Sequence, residues 1–296
     1  MQPLMIGSHS LNWGQRTYVM GILNLTPDSF SGDGLLVSPS QEEKGRLPGV
    51  REAGRFLAAG ADILDIGGES TRPGSQPVDA EEELRRVLPT IRAILAEFPD
   101  ALISIDTYKA LVAEEALKAG VSIVNDIWGL HADPEMAGVA ARYHAILVLM
   151  HNRSKPASVE VRERLGKAYL GASYQNVVED VKRELLESVA LARAAGIPDE
   201  RIILDPGLGF GKTVEQNLEL IDRLDEVRTL GFPVLLGPSR KSFIGYTLDL
   251  PPDQRLEGTA ACVSVGIARG ADIIRVHDVE AMLRVAKMTD AIIRKN

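Results

Sequence analysis

The 296-residue chain has room for one large core, since an α/β barrel takes about 250 residues. Its apolar and charged fractions, 45% and 25%, are those of an ordinary globular protein, and a net charge of −8 argues against non-specific nucleic-acid binding, which needs a basic face. The single cysteine, Cys262, excludes an internal disulfide and reads as a small packing residue. No apolar run is long enough to span a membrane and no signal-peptide pattern opens the chain, so the expectation is a cytoplasmic protein.

In chain order, 17–23 (TYVMGIL) reads as a first strand, and 31–48 turns to Gly, Ser, Pro and charge, a long polar loop of the kind that is usually functional or disordered. A helix over 49–59 and a strand over 61–66 (ADILDI) follow, then a helix over 80–98 and a strand over 101–105. The pattern repeats with a helix over 110–119, closed by Gly120, a strand over 121–124, a short helix over 134–142 and a strand over 145–150. Residues 158–195 read mainly as helix, broken by Gly166 and Gly171. Then come a strand over 201–204, a helix over 215–230, a strand over 233–236, a helix over 258–269, a strand over 271–276 and a last helix over 280–295.

Eight short apolar strands alternating with helices imply parallel strands and right-handed crossovers. The expected fold is a single-domain (β/α)8 TIM barrel, with residues 1–16 and the long loop as decoration. An open doubly wound sheet is the runner-up, but no Gly-rich fingerprint follows the first strand. The stretch Asp205-Pro-Gly-Leu-Gly-Phe-Gly-Lys-Thr213 is not a P-loop, because the template's first glycine is replaced by Pro206; nor does it fit G-x-G-x-x-G, since Gly211 comes one place early.

In such a barrel the C-terminal strand ends share one mouth. Here they deliver Asn24, Glu69 to Arg72, Asp106, Asn125 with Asp126, His151, Asp205, Lys241, Arg275 and His277. Singly, an Asn or Asp after a strand is often a cap or turn former, and Asp126, His151, Asp272 and Asp278 are read that way. Collectively, caps would not call for Arg72, Lys241, Arg275 and His277 at one rim. Arg72, Arg275, His277 and Asn24 suit an anion with several oxygens, such as a diphosphate; Asp106, Asn125 and Asp205 call for donors, as along the edge of a flat heterocycle. Lys241 can reach a ring carbonyl or nitrogen, and Phe210 offers an aromatic surface.

Seven blocks carry a resemblance that spans nearly the whole chain: GILNLTPDSFS (21–31), GGESTRPG (67–74), ISIDT (103–107), VNDI (124–127), LDPGLGFGK (204–212), SRKS (239–242) and RVHD (275–278). Together they are similar to the dihydropteroate synthases. The resemblance implies that p-aminobenzoate displaces diphosphate from a 7,8-dihydropterin methyl diphosphate, giving dihydropteroate for folate synthesis. It implies that Asp106, Asn125, Asp205 and Lys241 bind the pterin, with Met150 and Gly237 also in the substrate site. Asn24, Arg275 and His277 would form the diphosphate and Mg²⁺ site, with Asn24 the metal ligand. Thr71 and Arg72 would lie on a nearby mobile loop, and Phe30, Pro73, Phe210 and Ser242 would wall the p-aminobenzoate site. Asp106, Lys241, Arg72 and Asn24 are the expected catalytic set. A homodimer and a sulfonamide target are implied too; the small-residue stretch 259–269 reads either as tight helix packing inside the monomer or as a dimer face. The segment between Phe30 and Gly49 is longer than usual for the family, Tyr108 stands where a small residue is common, and the stretch after His151 is variable.

Two rivals stand beside this reading. A pterin-binding methyltransferase barrel would share Asp106, Asn125 and Asp205 but has no need of the SRKS block or of Arg275 with His277. A non-catalytic pterin-binding relative would be signalled by loss of Arg72, Lys241 or His277, and all three are present.

Overall fold

A computed structural model describes residues 2–26, 47–71, 73–155 and 158–294. Its strands, in chain order, are β1 (Leu4–Ile6), β2 (His9–Leu11), β3 (Tyr18–Asn24), β4 (Ile63–Gly67), β5 (Ile103–Asp106), β6 (Ile123–Asp126), β7 (Ile146–Met150), β8 (Val159–Arg162), β9 (Gly166–Tyr169), β10 (Ile202–Asp205), β11 (Leu235–Leu236) and β12 (Ile273–Val276). Eight of them form one parallel sheet in the order β10-β7-β6-β5-β4-β3-β12-β11. The ring closes where Leu204 bridges Val234 in parallel and the Leu204 amide donates to Pro233 O at 2.9 Å. The fold is therefore the expected (β/α)8 barrel, with β11 as its shortest stave.

The alternation of side chains along each strand separates two apolar layers. Outward residues such as Val19, Leu64, Ile105, Val124, Leu147, Leu204 and Ile274 pack under the helices. Inward residues Met20, Ile63, Ile123, Ile146, Ile203, Leu235 and Ile273 fill the lower barrel. Helix ends follow local chemistry. Asp79 caps Ala80–Glu97 by accepting from the Glu82 amide, with three glutamates in the first turn, where the helix dipole favours negative charge. Gly60, at φ 98°, ends Pro48–Ala59.

Four regions depart from the sequence reading. Residues before Thr17 are not decoration: β1 and β2 form an antiparallel hairpin whose Leu4, Ile6 and Leu11 join the lower core beneath Tyr18. The first part of 158–195 is not helix but the antiparallel β8–β9 hairpin; the helix begins only at Val177, where Asn176 accepts from two amides. The helix expected over 215–230 is two, Val214–Asp222 and Leu224–Arg228, divided at Arg223. A short helix, Ser242–Leu248, lies where the sequence reading assigned no element. Among the described residues no helix is long and apolar enough to cross a membrane.

Candidate active site

One pleat above the lower core, the same inward columns turn polar. Ile63 gives way to Asp65, Ile123 to Asn125, Ile203 to Asp205 and Ile273 to Arg275, while β5 contributes Ser104 and Asp106. Arg275 holds this tier together: its Nε donates to Asp65 Oδ2 and its Nη2 to Asp106 Oδ2, both at 2.5 Å. Asn125 Nδ2 donates to the same Asp65 oxygen at 3.1 Å. Asp65 Oδ1 and Asp106 Oδ1 are buried without a hydrogen-bond partner among the described residues. Such atoms are costly to leave unpaired and are natural acceptors for a bound ring. Burial pushes the Asp106 carboxyl up to about 7, against the pull of Arg275 and with Asp65 adding to the rise.

Across the mouth, Asp205 Oδ1 accepts from the Gly207 amide at 2.7 Å, and burial raises its pKa although the Lys241 ammonium opposes the shift. Burial in turn brings Lys241 down to about 8, with Asp205 opposing. Lys241 donates to Leu208 O and lies 4.8 Å from the Phe210 ring centroid. Asp205 also acts on Arg275, so acids and bases far apart in sequence converge on one cavity.

A scan of family descriptions matches this chain to the pterin binding enzymes over residues 20–277. A dihydropteroate synthase of Clostridium beijerinckii is 48% identical over 98% of this chain and 99% of its own. A crystal structure of a dihydropteroate synthase from Clostridium difficile with pteroic acid superposes with a TM-score of 0.83 at 47% identity, covering 96% of this chain and 99% of the other. One from Xanthomonas albilineans with 4-aminobenzoic acid gives 0.82 at 37% identity, covering 96% and 94%. The chain belongs to the pterin-binding enzymes, among the dihydropteroate synthases. It is a transferase of folate biosynthesis.

The other residues expected of a dihydropteroate synthase site have the following neighbours. A Cβ placed on Gly67 would lie 3.5 Å from Asp106 Cβ and 3.8 Å from Asn24 Oδ1, so Asn24 and Asp106 flank that glycine. His277 Nδ1 lies 3.0 Å from Ser239 Oγ. Gly237 sits beside Arg275, 3.7 Å separating a hypothetical Cβ from Arg275 Cβ. Met150 is buried and pairs in register with Asp205. Thr71 presents its carbonyl to the Tyr169 hydroxyl at 3.1 Å, Pro73 follows it in the loop after β4, and Ser242 opens the helix Ser242–Leu248. Phe30 and Arg72 lie outside the described residues.

The residues read as structural behave so. Asp126 accepts from the Trp128 and Leu130 amides at 2.9 and 2.8 Å, a turn former. Asp278 pairs with Arg240, and Asp272 accepts from the Val234 amide at 3.0 Å. His151 is buried between Glu184 at 3.0 Å and Lys212 Nζ at 3.0 Å. Burial and the neighbouring Lys212 charge take His151 down to about 4, which keeps it neutral: Nε2–H donates to Glu184 and Nδ1 accepts from Lys212. Lys212 also donates to Gly207 O at 2.7 Å, and burial lowers it to about 7. This chain of bonds fastens the Gly-rich loop to the barrel. Gly207 is obligatory there, since its φ is +70° and a Cβ would come within 1.9 Å of His151 O.

Sequence reasoning missed Asp65, Ser104 and Lys212. The signal for Asp65 was present: a carboxylate inside the apolar run ILDIG, two residues from inward Ile63, can only face the barrel interior. Cys262 is partly buried against the outer core, and burial takes its thiol up to about 11.

Proposed function

We propose that this mouth carries out the dihydropteroate synthase reaction by a dissociative displacement with divided labour. The carboxylates Asp106 and Asp205 and the amide Asn125 hold the N–H edge of the dihydropterin, each hydrogen bond to a charged acceptor contributing about 1.5–3 kcal/mol. Lys241, beside Asp205, meets the ring's acceptor atoms. When diphosphate departs, the pterin methylene becomes cationic, and the carboxyl groups of the Asp65–Arg275–Asp106 cluster would offset that charge. The weakly basic aromatic amine then needs no dedicated general base. The observation that carries this reading is the Asp65–Arg275–Asp106 cluster, two of whose carboxylate oxygens are buried with no donor among the described residues.

Arg275, His277, Asn24 and, on the sequence alone, Arg72 would face the leaving group. Two of the Arg275 nitrogens are committed to carboxylates, so its third is the one available to an anion. Among the described residues no group of three His, Cys, Asp or Glu side chains could hold a metal ion, which suits a metal carried mostly by substrate. Mg²⁺ keeps several waters and binds through one or two protein oxygens plus phosphates; the Asn24 amide oxygen beside Asp106 fits that donor set. When bound, the ion would supply positive charge to the departing diphosphate.

A homodimer is supported by exposed apolar side chains on two adjacent helices, Val265 on Leu256–Ala268 and Met288 and Ile292 on Val279–Ile293. Light scattering should give twice the 32.1 kDa chain mass, and a Met288→Glu variant should shift it toward one. The catalytic reading is tested by adding dihydropterin methyl diphosphate with and without p-aminobenzoate: diphosphate release dependent on the amine is expected, and a non-catalytic binder would release none. A secondary deuterium isotope effect at the methylene near unity would remove the dissociative step.

A further inference from the structure

We propose that Tyr169, on the β8–β9 hairpin, is a positioning residue for the aromatic amine, a reading that rests on the reaction assigned above. In the eight-strand order β4 and β10 stand four places apart, on opposite sides of the ring. The loops that follow them carry Thr71 and Phe210, and Tyr169 touches both. Its hydroxyl donates to Thr71 O at 3.1 Å, and its ring meets the Phe210 ring with centroids 6.0 Å apart and planes tilted by 31°. Phe210 in turn faces Lys241 Nζ at 4.8 Å. One side chain thus joins two opposing lips of the mouth, and it comes from neither.

The hairpin is held firmly enough to set a gap. Buried Arg255 donates from Nη2 to Leu165 O at 2.7 Å, and the Arg162 guanidinium lies 4.1 Å over the Tyr246 ring. On the other side, the Ala172 amide donates to Gly211 O at 2.8 Å. Burial raises the Tyr169 pKa, so its hydroxyl stays a donor at neutral pH. The pterin-facing groups Asp65, Asn125 and Asp205 belong to the strands beneath, whereas Thr71, Phe210 and Tyr169 belong to the loops above. Loosening Tyr169 therefore acts on the second substrate, which the family resemblance puts against Pro73 and Phe210 on those loops, and leaves the first in place.

The test is steady-state kinetics of the full chain, varying p-aminobenzoate and dihydropterin methyl diphosphate separately. Tyr169→Ala is expected to raise KM for p-aminobenzoate about tenfold, the scale of a lost aromatic contact plus a lost hydrogen bond, with KM for the pterin diphosphate within about twofold. Tyr169→Phe keeps the ring and should raise the amine's KM by no more than about threefold. Tyr169→Leu, which keeps bulk without the flat ring, should fall between the two and replaces the alanine variant if that one does not fold. A parallel rise in both KM values, or no rise in either, reduces Tyr169 to a structural tether and overturns the proposal. A wild-type enzyme that releases no diphosphate with p-aminobenzoate would instead overturn the reading of the site, so the two failures are told apart.

Discussion

The lower and upper halves of the barrel interior are built on the same strands, one pleat apart, and have opposite character. Below, Ile63, Ile123, Ile203 and Ile273 meet the N-terminal hairpin in a fully apolar plug. Above, the next inward residues are the buried Asp65, Asn125 and Asp205 and the partly buried Arg275, and Asp65 Oδ1 and Asp106 Oδ1 have no hydrogen-bond partner among the described residues. Burial that stabilises in the lower tier is a cost in the upper one, because desolvating a carboxylate opposes folding. The period of two along a strand allows both within one element: the lower tier holds the ring closed while the upper tier presents polar groups to the mouth.

The largest expected effect comes from cutting the lower tier. Ile203→Ala should cost about 2–5 kcal/mol of stability, read by chemical denaturation, with both KM values near wild type. One pleat up, Asp205→Asn should do the reverse. The raised Asp205 pKa means that the folded state holds its proton more tightly than the unfolded chain, so this group's contribution worsens as pH rises above the usual carboxylate range. The amide keeps an acceptor for Gly207 and removes the buried charge, so Tm at pH 7 should be unchanged or higher. Yet kcat/KM for the pterin diphosphate should fall by about two orders of magnitude, roughly 2.7 kcal/mol, for a lost charged acceptor. If Ile203→Ala abolishes substrate selectivity, or Asp205→Asn unfolds the protein, the two tiers are not functionally separate.

The tiers were unequally legible in sequence. Strand ends bearing Asn24, Asp106, Asn125 and Asp205 stood out because a polar residue stopped each apolar run. Asp65 did not, since it lies within its run, and only the two-residue period exposes it. The N-terminal hairpin has strands of three residues, too short to show a period. The β8–β9 hairpin was hidden by Glu, Arg, Leu, Lys and Ala, all helix formers; its conformation is set by contacts with Arg255 and Tyr246, nearly a hundred residues away in sequence for the Leu165–Arg255 bond. Tertiary override of local propensity of this kind leaves no local trace.

A smaller effect sharpens the electrostatic side of the comparison. Lys241 is lowered to about 8, so its ammonium is present below that pH and lost above it. If the charged form serves the reaction, kcat/KM should decline above about pH 8, by about tenfold per further unit. An arginine cannot deprotonate in this range, so Lys241→Arg, whatever its absolute rate, should remove that alkaline limb. A limb that persists unchanged assigns the titration to another group.

The smallest expected change sits where the upper tier has no side chain. Gly237 follows β11 two residues above Leu235 and so continues an inward column. Unlike Gly207, it has an ordinary φ, and a Cβ there would make only a 3.7 Å contact with Arg275 Cβ. Gly237→Ala should therefore leave Tm within about 1 °C, because surplus methyls in open space strain nothing. The methyl would still project beside Arg275, where the proposed reading puts the pterin. A rise of about threefold in KM for the pterin diphosphate, with KM for p-aminobenzoate unmoved, is expected from one added carbon that a bound ring must avoid. An unchanged pterin KM would mean that the ring lies away from β11, shifting the weight of recognition to the Asp65–Asn125 side of the mouth.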